Sequence, residues 1–255
     1  MTSKKDRIFA RERVRWLVTL KRHENVLRSK IADIFDAETK YIVDNYEDVI
    51  ALNGFSLVRE LELKGKVYDA ISRSIKKTMS FAVKTTQEQI KQEIKQDFSV
   101  ESYILEWVSS EVFNETMTLI VTHYFDDVKR IISSGIEQQQ TRREISKRIQ
   151  EELQIGSKRA LTIARTETHR AAMFASEKRA NDISTELNMP MLKQWIPVSD
   201  GRTRDNHAAM RNAEPIPVSD MFDVGGEKMS RPNDPKGSGK NTINCRCVLR
   251  YIPQT

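Results

Sequence analysis

Cys245 and Cys247 are the two cysteines of this 255-residue chain, and His207 lies 38 residues before the first of them. Thiolates and an imidazole together suit zinc in tetrahedral geometry. Residues i and i+2 of a strand point to the same side, so a strand through Cys245-Arg246-Cys247 would present both thiols on one face. His207 is the natural third ligand. Asp200, Asp205 or His169 could supply a fourth, and nothing in the sequence chooses among them. C-x-C signals zinc less specifically than C-x-x-C. The competing reading makes both cysteines small buried hydrophobes, with His207 hydrogen-bonded in the same fold. A C-x-C pair cannot close an unstrained disulfide, because bridged Cα atoms need a specific separation and dihedral angles. Free thiols fit a reducing compartment, and the chain is expected to fold and work in a cytoplasm.

A second group precedes this one. Arg165 and Glu167 are two residues apart, so on a helix they face different directions, whereas Glu167 shares a face with Arg170 and Ala171. Glu167 could anchor its helix to the tail through Arg202 or Arg204. Its catalytic version would be a general base beside His207. No Ser-His-Asp order, P-loop, G-x-G-x-x-G or H-E-x-x-H occurs, so the usual signatures of hydrolases, nucleotide-binding folds and metalloproteases are missing.

The elements that must position these residues change character near residue 189. All seven prolines lie at or after Pro190, and five of nine glycines lie at or after Gly201. Proline and glycine disfavour helix interiors, so 1–189 can be mostly helical and 190–255 cannot. Helices are expected near 6–47, 66–96, 99–133, 141–153 and 157–188. Three stripes at helical spacing support them: Leu27, Ile31, Ile34 and Phe35; Val67, Ile71, Ile75, Met79 and Val83; Phe113, Met117, Ile120, Tyr124, Val128 and Ile131. Asn53-Gly54 and Gly65 read as turns. Thr141-Arg142-Arg143-Glu144 reads as a capping box, with a stop near Gly156 and Ser157 capping the next helix. These two helices have a helix-turn-helix outline, which a packed hairpin also produces.

In the tail, Leu192 to Val198 around Trp195 reads as a strand. Asp200-Gly201 reads as a turn, and Thr203 as the cap of one or two helical turns reaching Arg211. Residues 213–241 carry four prolines and four glycines and read as an ordered loop with short strands. Thr242 to Ile252 reads as a strand with Ile243, Cys245, Cys247, Leu249 and Tyr251 on one face. The fold class is α+β: a long-helix-rich N-terminal region followed by a small mixed α+β domain.

The chain is polar but not disordered in composition, with 38% hydrophobic and 31% charged residues. No apolar run approaches the ~20 residues of a membrane span, and no apolar signal-peptide core opens the chain. Its +6 net charge is concentrated at one end. Residues 1–30 hold ten Lys or Arg against three Asp or Glu, and the remainder is close to neutral, with 32 against 33. Lys4, Lys5, Arg7, Arg11, Arg13, Arg15, Lys21 and Arg22 are therefore candidate nucleic-acid contacts, acting on phosphates without reading sequence. A solvated helix face is the plainer alternative.

Ile163-Ala164-Arg165-Thr166-Glu167, then Trp195, Asp200-Gly201-Arg202-Thr203-Arg204-x-x-His207, Pro232-x-Asp234-Pro235 and Asn244-Cys245-Arg246-Cys247, together resemble the phage Mu F-like head morphogenesis family. The resemblance covers roughly 140–252 and divides the chain into a helical N-terminal region, 1–139, and a family domain, 140–255. The basic arm matches no family motif. The family's motif residues here would be Arg165, Glu167, Trp195, Asp200, Arg202, Arg204, His207, Asp234, Asn244, Cys245 and Cys247. The resemblance implies a minor capsid protein of a tailed phage or prophage. Such a protein would act in head morphogenesis, associate with the portal and other head proteins, and contact packaged double-stranded DNA. Its expected place is the virion head near the portal, and the host cytoplasm during assembly. Some relatives are expected to carry toxin domains after this one, and a chain ending at Thr255 would carry none. No catalytic role follows from the resemblance. The alternative is a zinc-dependent hydrolase or nuclease using His207, Cys245 and Cys247.

Overall fold

A computed structural model describes residues 4–51, 57–90, 99–153, 156–198 and 200–254. The elements run α1 (Lys4–Asp44), α2 (Tyr46–Ala51), α3 (Leu57–Ile90), α4 (Glu101–Val108), α5 (Glu111–Glu137), α6 (Arg142–Leu153) and α7 (Gly156–Glu186). The tail follows with β1 (Met191–Ile196), α8 (Asp205–Ala209), a 3-10 turn (Met210–Asn212), β2 (Ile216–Pro217), β3 (Phe222–Val224), β4 (Glu227–Met229), α9 (Gly239–Thr242) and β5 (Val248–Pro253). The fold is α+β. Among the described residues no helix is long and apolar enough to cross a membrane.

The chain forms two compact units. The first, helical unit is Asn25–Arg73 with Val108–Ala164. Its core contains, from the expected stripes, Leu27, Ile31 and Phe35 on α1, Val67 and Ile71 on α3, and Phe113, Met117, Tyr124, Val128 and Ile131 on α5, to which Leu63, Val121 and Phe125 are added. Residues three and four apart stack on one helix face, which is why these side chains can be buried together. Ile34 and Ile120 sit at the margin, half-buried. Tyr124 stacks on Phe35 with ring centroids 4.9 Å apart, and its hydroxyl lies 2.9 Å from the Thr39 hydroxyl. Arg59 reaches both oxygens of buried Glu38, at 2.6 and 2.7 Å. The capping box forms as expected. The Thr141 amide donates to the Glu144 carboxylate at 2.7 Å, and the Glu144 amide donates to the Thr141 hydroxyl at 3.3 Å. Gly135 lets α6 come close, since a Cβ there would lie 2.5 Å from Ile145 Cγ1.

The second, mixed unit is Met1–Glu24, Ser74–Trp107 and Arg165–Thr255. Its three-stranded antiparallel sheet has the order β2-β1-β5, with Trp195 opposite Leu249 and Ile196 opposite Val248. Met191, Lys193 and Trp195 form the buried face of β1. A separate hairpin joins β3 to β4 through Gly225-Gly226, both at positive φ. Two consecutive positive-φ residues give the turn whose twist matches paired strands. Trp16, Leu20, Met79, Trp107 and the inner face of α7 add to the core.

Several expectations need correction. Gly65 lies inside α3, with open space where a Cβ would be, so it ends nothing. The helix expected over 99–133 is two, because Ser110 caps α5 by accepting from the Phe113 amide at 3.2 Å. α7 begins at Gly156, so Ser157 lies inside it and not before it. Arg204, not Thr203, is the cap of α8; the Thr203 hydroxyl instead donates to the Val198 carbonyl. The strand expected over 242–252 starts only at Val248. Asn244 has φ +60, which breaks an extended run, and α9 occupies the positions before it. The Asn53-Gly54 turn lies outside the described residues.

Candidate metal centre

His207 sits mid-way along α8, and the two cysteines lie in the irregular segment between α9 and β5. All three side chains are buried, at 1 to 2% exposure. His207 Nδ1 is 3.6 Å from Cys245 Sγ and 3.4 Å from Cys247 Sγ. The three ligand atoms lie within 4.8 Å of one another. The C-x-C thiols therefore converge although no strand carries them. In a tetrahedral zinc site with Zn–S near 2.3 Å and Zn–N near 2.05 Å, sulfur and nitrogen would stand about 3.6 Å apart. The observed spacing fits. Trp195 packs edge-on to the imidazole with centroids 5.4 Å apart, and Phe222 packs edge-on to Trp195 at 5.5 Å. His207 Nε2 is buried without a hydrogen-bond partner. Hydrogen bonding from Cys245, helped by His207, pulls the Cys247 thiol well below its ordinary range. Burial, reinforced by its neighbour Cys247, pushes Cys245 up.

None of the three fourth-ligand candidates joins this cluster. Asp200 accepts two bonds from the Arg246 guanidinium, at 2.7 and 2.8 Å, and this pairing holds its carboxyl well below the usual range. Asp205 is exposed. His169 Nε2 lies 3.0 Å from the buried Glu24 carboxylate. Glu167 is also committed elsewhere. Its partner is Arg170 at 2.9 Å, not Arg202 or Arg204, and burial raises its pKa. No hydrogen bond links Glu167 to His207.

The other motif residues hold the C-x-C segment in place. Arg165 donates to the Asn244 side-chain oxygen at 3.1 Å, and the Asn244 amide donates to the Thr166 hydroxyl at 3.1 Å. Arg204 donates to the Ile243 carbonyl at 2.5 Å. Asn233, at φ +61, donates to the Thr242 carbonyl at 2.9 Å. Asp234 accepts from the Ser230 and Lys236 amides. Burial opposes its ionisation, but these amide bonds and the Arg231 charge outweigh that and lower its pKa. Arg202 is exposed and rests on Asp200.

Sequence reasoning missed a buried ionic cluster. Lys193, fully buried, donates to Glu177 at 2.9 Å and to the Ser230 carbonyl at 2.7 Å, while Arg231 reaches the other Glu177 oxygen at 2.5 Å. A signal existed, for a lysine alternating with Met191 and Trp195 falls on the apolar face of its strand. Of the basic arm, Arg11 and Arg22 are exposed and Arg13 is half-buried. Arg15 pairs with Glu88 at 2.5 Å, and Lys21 with Glu24 at 3.1 Å. Lys4, Lys5 and Arg7 lie in the first turns of α1, and their side chains fall outside the described residues.

Two curated proteins are similar to this chain. One, 27% identical over 57% of the chain and 30% of its own length, is named an NAD(+)–arginine ADP-ribosyltransferase of Enterococcus faecalis. The other, 24% identical over 50% of the chain and 40% of its own length, is the minor head protein GP7 of Bacillus phage SPP1. The chain thus spans well under half the length of either. No solved structure matches it significantly. The model of the family described as Phage Mu protein F like protein matches residues 126–250, the stretch that contains the polar clamp, His207 and both cysteines. Over residues 126–250, just under half of its length, this chain is similar to the Phage Mu protein F-like family.

Proposed function

We propose that this chain is a minor head protein of a tailed phage or prophage, acting in head morphogenesis. The observation that carries the reading is the family match over 126–250, supported by the similarity to a phage minor head protein. The transferase activity in the other relative's name belongs to a protein of which only 30% aligns. In this reading 140–255 is the family domain and 1–139 the helical region. Its partners are the portal and other head proteins, and its site is the virion head near the portal after assembly in the host cytoplasm. The basic start of the chain contacts packaged DNA through phosphates.

The enzyme reading has one observation in its favour. Zinc catalysis needs an open coordination position, and three protein ligands leave one. Against it stand the burial of all three ligands, a recess beside them of only about 10 Å³, and the commitment of Glu167 to Arg170. Such a recess admits about one water molecule and no phosphodiester or peptide. The metal centre is better suited to holding the tail together.

Disrupting the gene in its native phage tests the reading. The expected result is a large fall in infectious particles, restored by the intact gene supplied in trans, with heads that are defective or poorly filled. Unchanged particle number, filling and infectivity would overturn it.

A further inference from the structure

Three soft donors converge on one point from two separate stretches of chain. His207 comes from α8, and Cys245 and Cys247 from the segment before β5. As a purely hydrogen-bonded cluster this is a poor arrangement. Neutral His207 with its proton on Nε2 offers a single lone pair at Nδ1, yet both sulfurs sit against that nitrogen, at 3.6 and 3.4 Å. Only one thiol proton can use it well. Trp195 packs edge-on to the imidazole, and an indole offers the thiols no acceptor. A cation at the convergence point would satisfy all three at once.

A second observation points the same way. The small recess of about 10 Å³ is lined by the three donors themselves, with Val198, Thr203, Arg204 and others around them. That volume holds about one water. Two nitrogen–sulfur spacings that suit a tetrahedral centre, with a one-water recess beside the same donors, leave room for one further ligand.

We propose that His207 Nδ1, Cys245 Sγ and Cys247 Sγ bind one zinc ion, whose fourth ligand is a single solvent molecule in this recess, and that the ion pins α8 to the Cys245–Cys247 segment. Binding displaces the thiol protons to solvent, and the two thiolates neutralise the divalent charge. Nitrogen with two sulfurs favours zinc over calcium or magnesium, which take oxygen ligands. The role is structural: the ion replaces apolar packing in a small, turn-rich tail that has few large side chains to bury. This inference does not depend on the head-protein reading, and its test uses no particles.

The full chain, purified under reducing conditions and reconstituted with zinc sulfate, is passed through gel filtration and its metal measured by mass spectrometry. About one zinc per chain is expected. X-ray absorption at the zinc edge should show two sulfur scatterers near 2.3 Å and two lighter ones near 2.0–2.1 Å. Cys247→Ser and His207→Ala should each lower retained zinc at least tenfold. Because either variant can lose its fold, the wild-type chain is also treated with a chelator. Its melting temperature should fall and should recover on adding zinc back. A folded, reduced wild-type chain that retains less than about a tenth of an equivalent would overturn the proposal. So would a Cys245–Cys247 disulfide, seen as a mass lower by two hydrogens in the natively isolated protein. A third sulfur or a melting temperature indifferent to chelation would overturn the stated geometry or role.

Discussion

The helical unit and the tail of the mixed unit solve the same problem with different materials. In Asn25–Arg73 and Val108–Ala164, apolar side chains three and four apart bury one another, and polar groups are added at caps and edges. In the tail, the buried set includes Lys193, His207, Asn233, Asp234, Asn241 and Thr242. Each has a hydrogen-bond partner, Asn241 donating to the Val224 carbonyl at 3.2 Å, or sits in the candidate metal site. Apolar burial is non-directional and tolerates exchange. Buried polar groups demand particular partners, and losing one leaves the other stranded in a medium of low polarity. The tail should therefore be the less substitutable region.

The sharpest way to break that contrast is Glu177→Ala. It strands Lys193, which is fully buried. Removing one partner of a buried ion pair costs about 3–5 kcal/mol, so chemical denaturation should show a loss of that order. A loss below about 1 kcal/mol would mean that the tail does not depend on its ionic contacts.

Acid comes next. Although burial opposes ionisation of Glu24, its bond to His169 and the charges of His169 and Lys21 hold its pKa at about 2, below the ordinary 4.5. A depressed carboxylate pKa adds stability that is fully present above the unfolded value and lost as pH falls through the folded one. Stability should therefore decline between about pH 4.5 and 2, by up to about 3 kcal/mol from this group. Glu24→Gln should be less stable at neutral pH and show a shallower decline across that window, read by urea unfolding at stepped pH.

In the helical unit, Met117→Leu keeps volume and apolar character at a fully buried position. It should cost less than about 1.5 kcal/mol. The equally conservative Asn233→Asp in the tail turns a donor to the Thr242 carbonyl into a carboxylate facing an acceptor. It should cost more than Met117→Leu, and the reverse order would defeat the comparison. Thr141→Ala, which removes half of the capping box, should lower stability by about 1 kcal/mol, seen as a small fall in the melting temperature.

The two regions also differed in how far sequence exposed them. The ladder Val67, Ile71, Ile75, Met79 and Val83 could be read directly and is buried throughout, because periodicity is a local property. The break between α4 and α5 could not, since Ser109-Ser110 contains neither proline nor glycine and works by a side-chain cap. In the tail, residue types announced the His207, Cys245 and Cys247 group, but not how it forms. Alternation along 242–252 suggested a strand, while the positive φ of Asn244 bends the chain there. The clamp of Arg165 and Thr166 on Asn244 spans nearly eighty residues of sequence. No local pattern encodes a partner that distant. Glu167 shows the limit most clearly: its face was right and Arg170 was within view, yet the more distant arginines were preferred as partners.

The most direct test of a role in the phage head is to purify intact particles from the source organism and count this chain by quantitative mass spectrometry against the major capsid and portal proteins. A minor head protein should appear at a fixed, low copy number that survives washing in high salt. Its absence from particles, with the chain abundant in the lysate, would contradict that role.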